Sequence, residues 1–166
     1  MAFAAISQTL FAQGSPLPTI PQTSFPGKVI KTSDGDTVWF RYTRGKKVKV
    51  RLIGIDAPEL NQAYGAISKK TLQRHCSKVR AELEPLGKDR YGRVLGKITC
   101  NGQNMNEYMV REGFAWAYRK GVQTLLYQSL EVQAKFNKKG LWSGTKPPIP
   151  PWEFRKHPPE TENKHR

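Results

Sequence analysis

Three short segments gather carboxylates and arginines: Asp34-Gly35-Asp36-Thr37, Arg51 followed by Asp56-Ala57-Pro58-Glu59, and Asp89-Arg90-Tyr91-Gly92-Arg93. Each alone has an ordinary reading, as a turn, a strand end at a proline, or a charged loop. Together they hold the parts that hydrolysis of a phosphate diester requires. Asp36 and Asp56 are hard oxygen donors that suit Ca²⁺, a cation taking about six to eight oxygens, waters among them. Glu59 stands just beyond Asp56, across a proline that stiffens the turn, where a carboxylate can orient or deprotonate a water. Arg51 and Arg93 each present a planar fork of donors to phosphate oxygens, matching charge that grows during reaction.

Other chemistries find fewer parts. His75 is the one histidine in the central region, and beside Cys76 on a predicted helix it reads as a solvated side chain rather than a catalytic base. The sequence has no glycine-rich phosphate loop and no His-Glu-x-x-His, and Asp34-Gly35-Asp36 lacks the glycine and distal glutamate of an EF-hand. The scattered His75, His157 and His165 cannot complete a zinc site with Cys76 and Cys100. In an exported protein those two cysteines read as one disulfide; in the cytosol they read as two buried thiols.

The elements that must position these groups are strands first and helices afterwards, which implies α+β rather than alternating α/β. Strands are predicted over 28–31, 37–42, 47–55 and 93–99, with a hairpin at Thr43-Arg44-Gly45-Lys46 and a turn at Asn101-Gly102. In 47–55, Val48, Val50 and Leu52 alternate with Lys47, Lys49 and Arg51, so one face is apolar and the other basic. Helices are predicted over 64–76, 104–112 and 123–138, the last with Leu126, Leu130 and Ala134 on one face and Gly140 as its terminating glycine. Trp39, Phe40, Phe114, Trp116, Phe136 and Trp142 read as core, whereas Tyr91, in a polar loop beside Arg93, reads as a substrate contact.

The ends differ from the middle. Residues 1–12 are uncharged and mostly apolar, like the core of a secretory signal without its basic segment, and imply a secreted or periplasmic protein. Residues 13–26, with four prolines and no charge, read as a linker. The tail 147–166 is rich in proline and charge and is expected to be extended and largely disordered, leaving one domain over 27–146. No apolar run approaches the ~20 residues of a membrane anchor. The chain has 28 Lys and Arg against 13 Asp and Glu, a formal charge of +15, all of it outside residues 1–26. Such a field favours polyanions, nucleic acid foremost, with an anionic membrane surface as the alternative.

Ser33-Asp-Gly-Asp-Thr37, Val50-Arg-Leu-Ile-Gly-Ile-Asp-Ala-Pro-Glu59 and Asp89-Arg-Tyr-Gly-Arg93 resemble, in order and separation, the motifs of the staphylococcal nuclease family. Asn106 to Ala115 and Gly140-Leu-Trp-Ser143 continue the resemblance, which spans the whole of 27–146. It implies an OB-like five-stranded β-barrel with three α-helices. It implies a Ca²⁺-dependent, sequence-nonspecific nuclease that cuts DNA and RNA, single- or double-stranded, to 3′-phosphate products, acting as a monomer with no obligate protein partner. Asp36, Asp56 and the carbonyl of Ala57 would hold calcium, Asp34 would act through water, and Glu59 would activate or orient the nucleophile. Arg51 and Arg93 would clamp the phosphate, Tyr91 would touch the nucleotide, and Tyr118 would meet the base or the terminal phosphate. The chain departs from the staphylococcal protein in having one tyrosine near 118 where that protein has two, a short link after Glu59, and Cys76 and Cys100, a plausible bridge. A non-catalytic OB-like module that binds single strands is the alternative, since such barrels often bind without cutting.

Overall fold

A computed structural model describes residues 23–119 and 124–157; the leader 1–12, most of the linker and His165 lie outside them. Five strands close a barrel: β1 (Phe25–Thr32), β2 (Thr37–Tyr42), β3 (Lys47–Leu52), β5 (Ala81–Lys88) and β6 (Val94–Cys100). Their order is β3-β2-β1-β5-β6, and a parallel pairing of β3 with β6, from Val50↔Val94 to Leu52↔Gly96, completes the circle. The alternation in β3 works as expected, with Val50 and Leu52 fully buried and Lys47 and Lys49 in solvent. Phe40, Val38, Leu83 and Ile98 join them inside the barrel. Burying such side chains stabilises by roughly 1.5–3 kcal/mol each, so the barrel interior is the main source of stability.

The sequence reading omitted β5. Its residues include Glu82, Glu84, Pro85 and Gly87, all poor strand formers. Pro85 is tolerated because the pairing with β6 is irregular between Pro85 and Gly87, a bulge where no ladder donor is needed. The strand survives because Ala81 and Leu83 fill the core from alternate positions. β1 also begins earlier than expected, at Phe25, within the segment read as linker.

Three helices pack around the barrel: α1 (Gly65–Cys76), α2 (Met105–Arg111) and α3 (Thr124–Phe136). Asn104 caps α2, its side chain accepting from the Glu107 amide. Short pieces β4 (Ile55–Asp56) and β8 (Trp116–Ala117) pair antiparallel, and β7 (Gln103–Asn104) follows the Asn101-Gly102 turn, both of whose φ angles are positive. Cys76, ending α1, is bonded to Cys100, ending β6, with Cα atoms 5.2 Å apart. Closing a loop of this length stabilises by about 3 kcal/mol through the unfolded chain. Among the described residues, no helix is long and apolar enough to cross a membrane.

Several local expectations change. The buried face of α3 is Tyr127, Glu131 and Ala134, while Leu126 faces solvent, because the helix is rotated to seat Tyr127 against Gly54. Phe136 is 86% exposed and Trp39 36%, so neither is core. The turn that ends α3 places Lys138 at φ 51°, with the Lys139 amide donating to the Ala134 carbonyl, and Gly140, two residues further on, also has φ 51°. Gly140 is required for another reason: a Cβ there would run into the Glu112 and Gly113 carbonyls, where the Leu141 amide donates to Gly113. Residues 147–157, expected to be extended, instead carry one helical turn, α4 (Pro151–Phe154), with Pro151 buried. Proline suits the first helical position, where its missing N–H costs nothing.

Candidate active site

One open cavity of about 920 Å³ is lined by Asp34, Asp36, Arg51, Asp56, Ala57, Glu59, Arg93, Tyr91 and Tyr118, every residue that the sequence singled out for chemistry. The convergence follows from the barrel. Asp36 lies just before β2 and Arg51 near the end of β3, and Thr37↔Arg51 are register partners. Asp56 and Glu59 follow the tight turn after β3, and the Asp89–Arg93 loop joins β5 to β6, which pairs with β3.

Asp36 is held from all sides. Its Oδ2 accepts from the Ala57 amide at 2.7 Å; its Oδ1 accepts from Thr37 Oγ1 at 3.0 Å and meets Arg51 Nε at 3.2 Å. The Asp36 amide donates to Asp34 Oδ1 at 3.0 Å, a turn closed by the side chain. Gly35 lets this turn lie against Ala57, whose Cβ would stand 2.7 Å from any added Cβ. Burial pushes the Asp36 carboxyl up to about 7; Arg51 opposes the rise, and Asp34 and Asp56 add to it.

Arg51 bridges the two buried carboxylates. Nη2 donates to Asp56 Oδ1 at 3.0 Å, and Nη1 donates to the Leu52 and Ile55 carbonyls at 2.8 and 2.9 Å. Its fork is thus turned inward, toward Asp36, Asp56 and the turn between β3 and β4. Arg93 is held differently: Nε donates to Asp89 Oδ2 at 2.7 Å, and among the described residues no acceptor pairs with its terminal nitrogens. Asp89 Oδ1 also accepts from the Tyr91 and Arg93 amides at 2.9 Å each. Burial raises the Asp89 carboxyl, but the hydrogen bonds from Arg93 and Tyr91 together outweigh it and hold the group below its usual value. Tyr91, 68% exposed, lies under both Arg90 and Arg93, with guanidinium carbons 4.9 and 5.6 Å from the ring centre. Tyr118 stands exposed at the same cavity.

The donor chemistry fits a hard divalent cation. The Asp36 and Asp56 carboxylates share one wall, both meeting Arg51, and Asp34 and Glu59 line the same cavity. Among the described residues no three acidic or His/Cys side chains already cluster as a metal site, so carbonyls and waters would complete the shell.

Three contributors escaped the sequence reading. Asn106, fully buried, accepts from the Ile98 amide and donates to the Ile53 and Gly96 carbonyls, pinning the turn that carries Asp56 to the barrel. Gln62 accepts from the Glu59 amide at 3.1 Å and donates to the Ile149 carbonyl at 2.6 Å. Arg155, from the tail, donates to Asp56 Oδ2 at 2.8 Å and to Glu59 Oε1 at 2.7 Å. Proline at the first helical position, then Trp-Glu-Phe, was the only local signal that this tail folds.

The staphylococcal nuclease homologue model matches residues 49–144. An uncharacterized endonuclease of Escherichia coli is 38% identical over 130 residues, covering 78% of this chain and 84% of its own. Another, from Haemophilus influenzae, is 40% identical over 129 residues, covering 78% and 72%. A micrococcal nuclease of Shigella flexneri is 35% identical over 144 residues, covering 80% and 81%. With this extent of match, and with a closed five-stranded barrel carrying the acidic and arginine motifs into one cavity, the chain belongs to the staphylococcal nuclease family.

Proposed function

We propose that this protein is a Ca²⁺-dependent nuclease that hydrolyses phosphodiester bonds of DNA and RNA with little sequence preference. The observation that carries the reading is the meeting of Asp36, Arg51, Asp56, Glu59 and Arg93, from three separated segments, in a single cavity. Relatives described as endonucleases and as a micrococcal nuclease support it.

The Asp36 and Asp56 carboxylates and the Ala57 carbonyl would hold the cation, and Asp34 would assist from the same cavity. The cation supplies Lewis acidity and a template for the phosphate. Glu59 orients a water or takes its proton as the oxygen attacks phosphorus. The P–O5′ bond breaks, the departing oxygen acquires a proton, and a 3′-phosphate remains. Arg93, which pairs with Asp89 through Nε, donates its terminal N–H groups to the phosphoryl oxygens as their charge grows. Arg51 aligns Asp36 and Asp56 and offers positive charge at the same wall. Tyr91 and Tyr118 contact the nucleotide, and basic residues around the barrel attract the polyanion. The bonded Cys76–Cys100 pair supports export to an oxidising compartment.

The test is incubation of purified protein with plasmid DNA and with RNA, in Ca²⁺ or in chelator. Shortening of both polymers in Ca²⁺ alone is expected. Intact polymers in Ca²⁺ refute the enzyme, and salt-sensitive binding without cleavage would identify a binding module instead.

A further inference from the structure

Arg155 reaches the cavity from beyond the end of the family match at residue 144. The arm that brings it is fastened at three points. Ser143 Oγ and Tyr64 Oη lie 3.0 Å apart, the Ile149 carbonyl accepts from Gln62 Nε2 at 2.6 Å, and Trp152 meets the Trp116 ring edge-on at 6.4 Å. Pro151 is buried beneath this arm and starts α4, whose following residue is Arg155. The guanidinium then forks over the carboxylates. Nη2 donates to Asp56 Oδ2 at 2.8 Å, and Nη1 donates to Asp56 Oδ1 at 3.3 Å and to Glu59 Oε1 at 2.7 Å. Since Arg51 also donates to Asp56 Oδ1, both oxygens of Asp56 are engaged by guanidinium groups.

A carboxylate oxygen whose lone pairs are committed to N–H donors is a poor metal ligand, and a fixed positive charge beside it repels a dication. Arg51 has only 17% of its side chain exposed and is tied to two backbone carbonyls, so it is held in place; Arg155 is half-exposed and, among the described residues, tied only to the two acids. We propose that Arg155 is a resident counter-cation of Asp56 and Glu59 that a divalent cation must displace, so that the C-terminal arm sets the cation affinity of the site. This rests on the reading that the site takes Ca²⁺. The coupling is reciprocal: an arm that weakens cation binding must itself be loosened by the cation to the same degree. Displacement also frees Glu59 to address a water in a cavity that Arg90 and Arg93 line as well.

The experiment is calorimetric titration of Ca²⁺ into full-length protein without nucleic acid, comparing the natural chain with Arg155→Ala and Lys156→Ala. Lys156 pairs with Glu153 on the arm, so its removal deletes the same charge without touching the acids. Arg155→Ala is expected to bind Ca²⁺ about ten-fold more tightly, within the range of coupled sites, and Lys156→Ala to bind as the natural chain does. In the unsubstituted protein, Ca²⁺ is expected to speed tryptic cleavage after Arg155, read by mass spectrometry. Equal or weaker affinity in Arg155→Ala, or cleavage indifferent to Ca²⁺ when Ca²⁺ binds, overturns the displacement. An absence of binding heat in all three proteins refutes the Ca²⁺ reading itself.

Discussion

In chelator, raising the pH from 5 to 8 should weaken the fold, because Asp36 prefers to be neutral when folded. Its carboxyl is pushed to about 7 from an ordinary 3.8, first by burial and then by Asp34 and Asp56, with Arg51 and the Ala57 amide opposing. Because the folded value lies above the unfolded one, the folded state keeps a proton that the unfolded chain releases. That stability is fully present below pH ~4 and is lost as pH rises through ~7. Integrated between pH 5 and 8, the loss is on the order of 2–3 kcal/mol for this one group. Asp89 and Glu112 shift the other way: each feels burial first, but Arg93 on one and Lys139 on the other more than compensate. Their stabilisation is lost only as pH falls below about 4.5, so they leave the window from 5 to 8 flat. Urea unfolding followed by tryptophan fluorescence in chelator, at pH 5, 6, 7 and 8, measures the slope. Asp36→Asn should remove most of it. At pH 8 a hundred-fold excess of Ca²⁺ over its Kd should restore about 2.7 kcal/mol to the natural protein and little to the variant. A natural protein as stable at pH 8 as at pH 5 in chelator, or an Asp36→Asn variant with the same slope, would refute the claim that burial outweighs Arg51 at this carboxylate.

Glu59→Gln should lower kcat by about a hundred-fold or more while nucleic-acid affinity stays within a few-fold, as steady-state rates and filter binding would show. Arg93→Lys should reduce kcat by about ten-fold or more, since a point charge cannot replace the planar fork. Asp89→Asn should give a smaller loss of the same kind, because the Asp89 side chain holds Arg93 by two hydrogen bonds; equal rates in both variants and the natural enzyme would remove Arg93 from the reaction. Reduction of the Cys76–Cys100 bond, or Cys76→Ala, should lower unfolding stability by about 2–4 kcal/mol without changing cleavage at 25 °C, measured by urea melts with and without reductant.

What the sequence determined by itself was local. Alternation in Lys47–Leu52 set the inward face of β3, and the Asp-Gly, Asn-Gly and Asp-Ala-Pro-Glu segments set turns that end strands. The identities of Asp36, Asp56, Glu59, Arg51 and Arg93 suggested the chemistry proposed above, and the spacing of the motifs carried the family. Tertiary structure decided the remainder, because it depends on contacts between residues distant in the chain. β5 forms despite Pro85 and Gly87 because β1 and β6 flank it and its apolar side chains close the barrel. α3 buries Tyr127 and Glu131 rather than Leu126, since the face it presents is chosen by what Gly54 leaves open. Phe136 and Trp39 are apolar yet exposed, a choice that side-chain type cannot encode. The arm looked unstructured because proline and charge disfavour local structure. It folds because Pro151, Trp152 and Ile149 find Trp116 and Gln62, and Arg155 then meets two acids nearly a hundred residues away. Sequence names the groups that can react; only packing decides how each is turned, so Arg51 faces Asp36 and Asp56, Arg93 is held by Asp89 through Nε, and Arg155 enters the site.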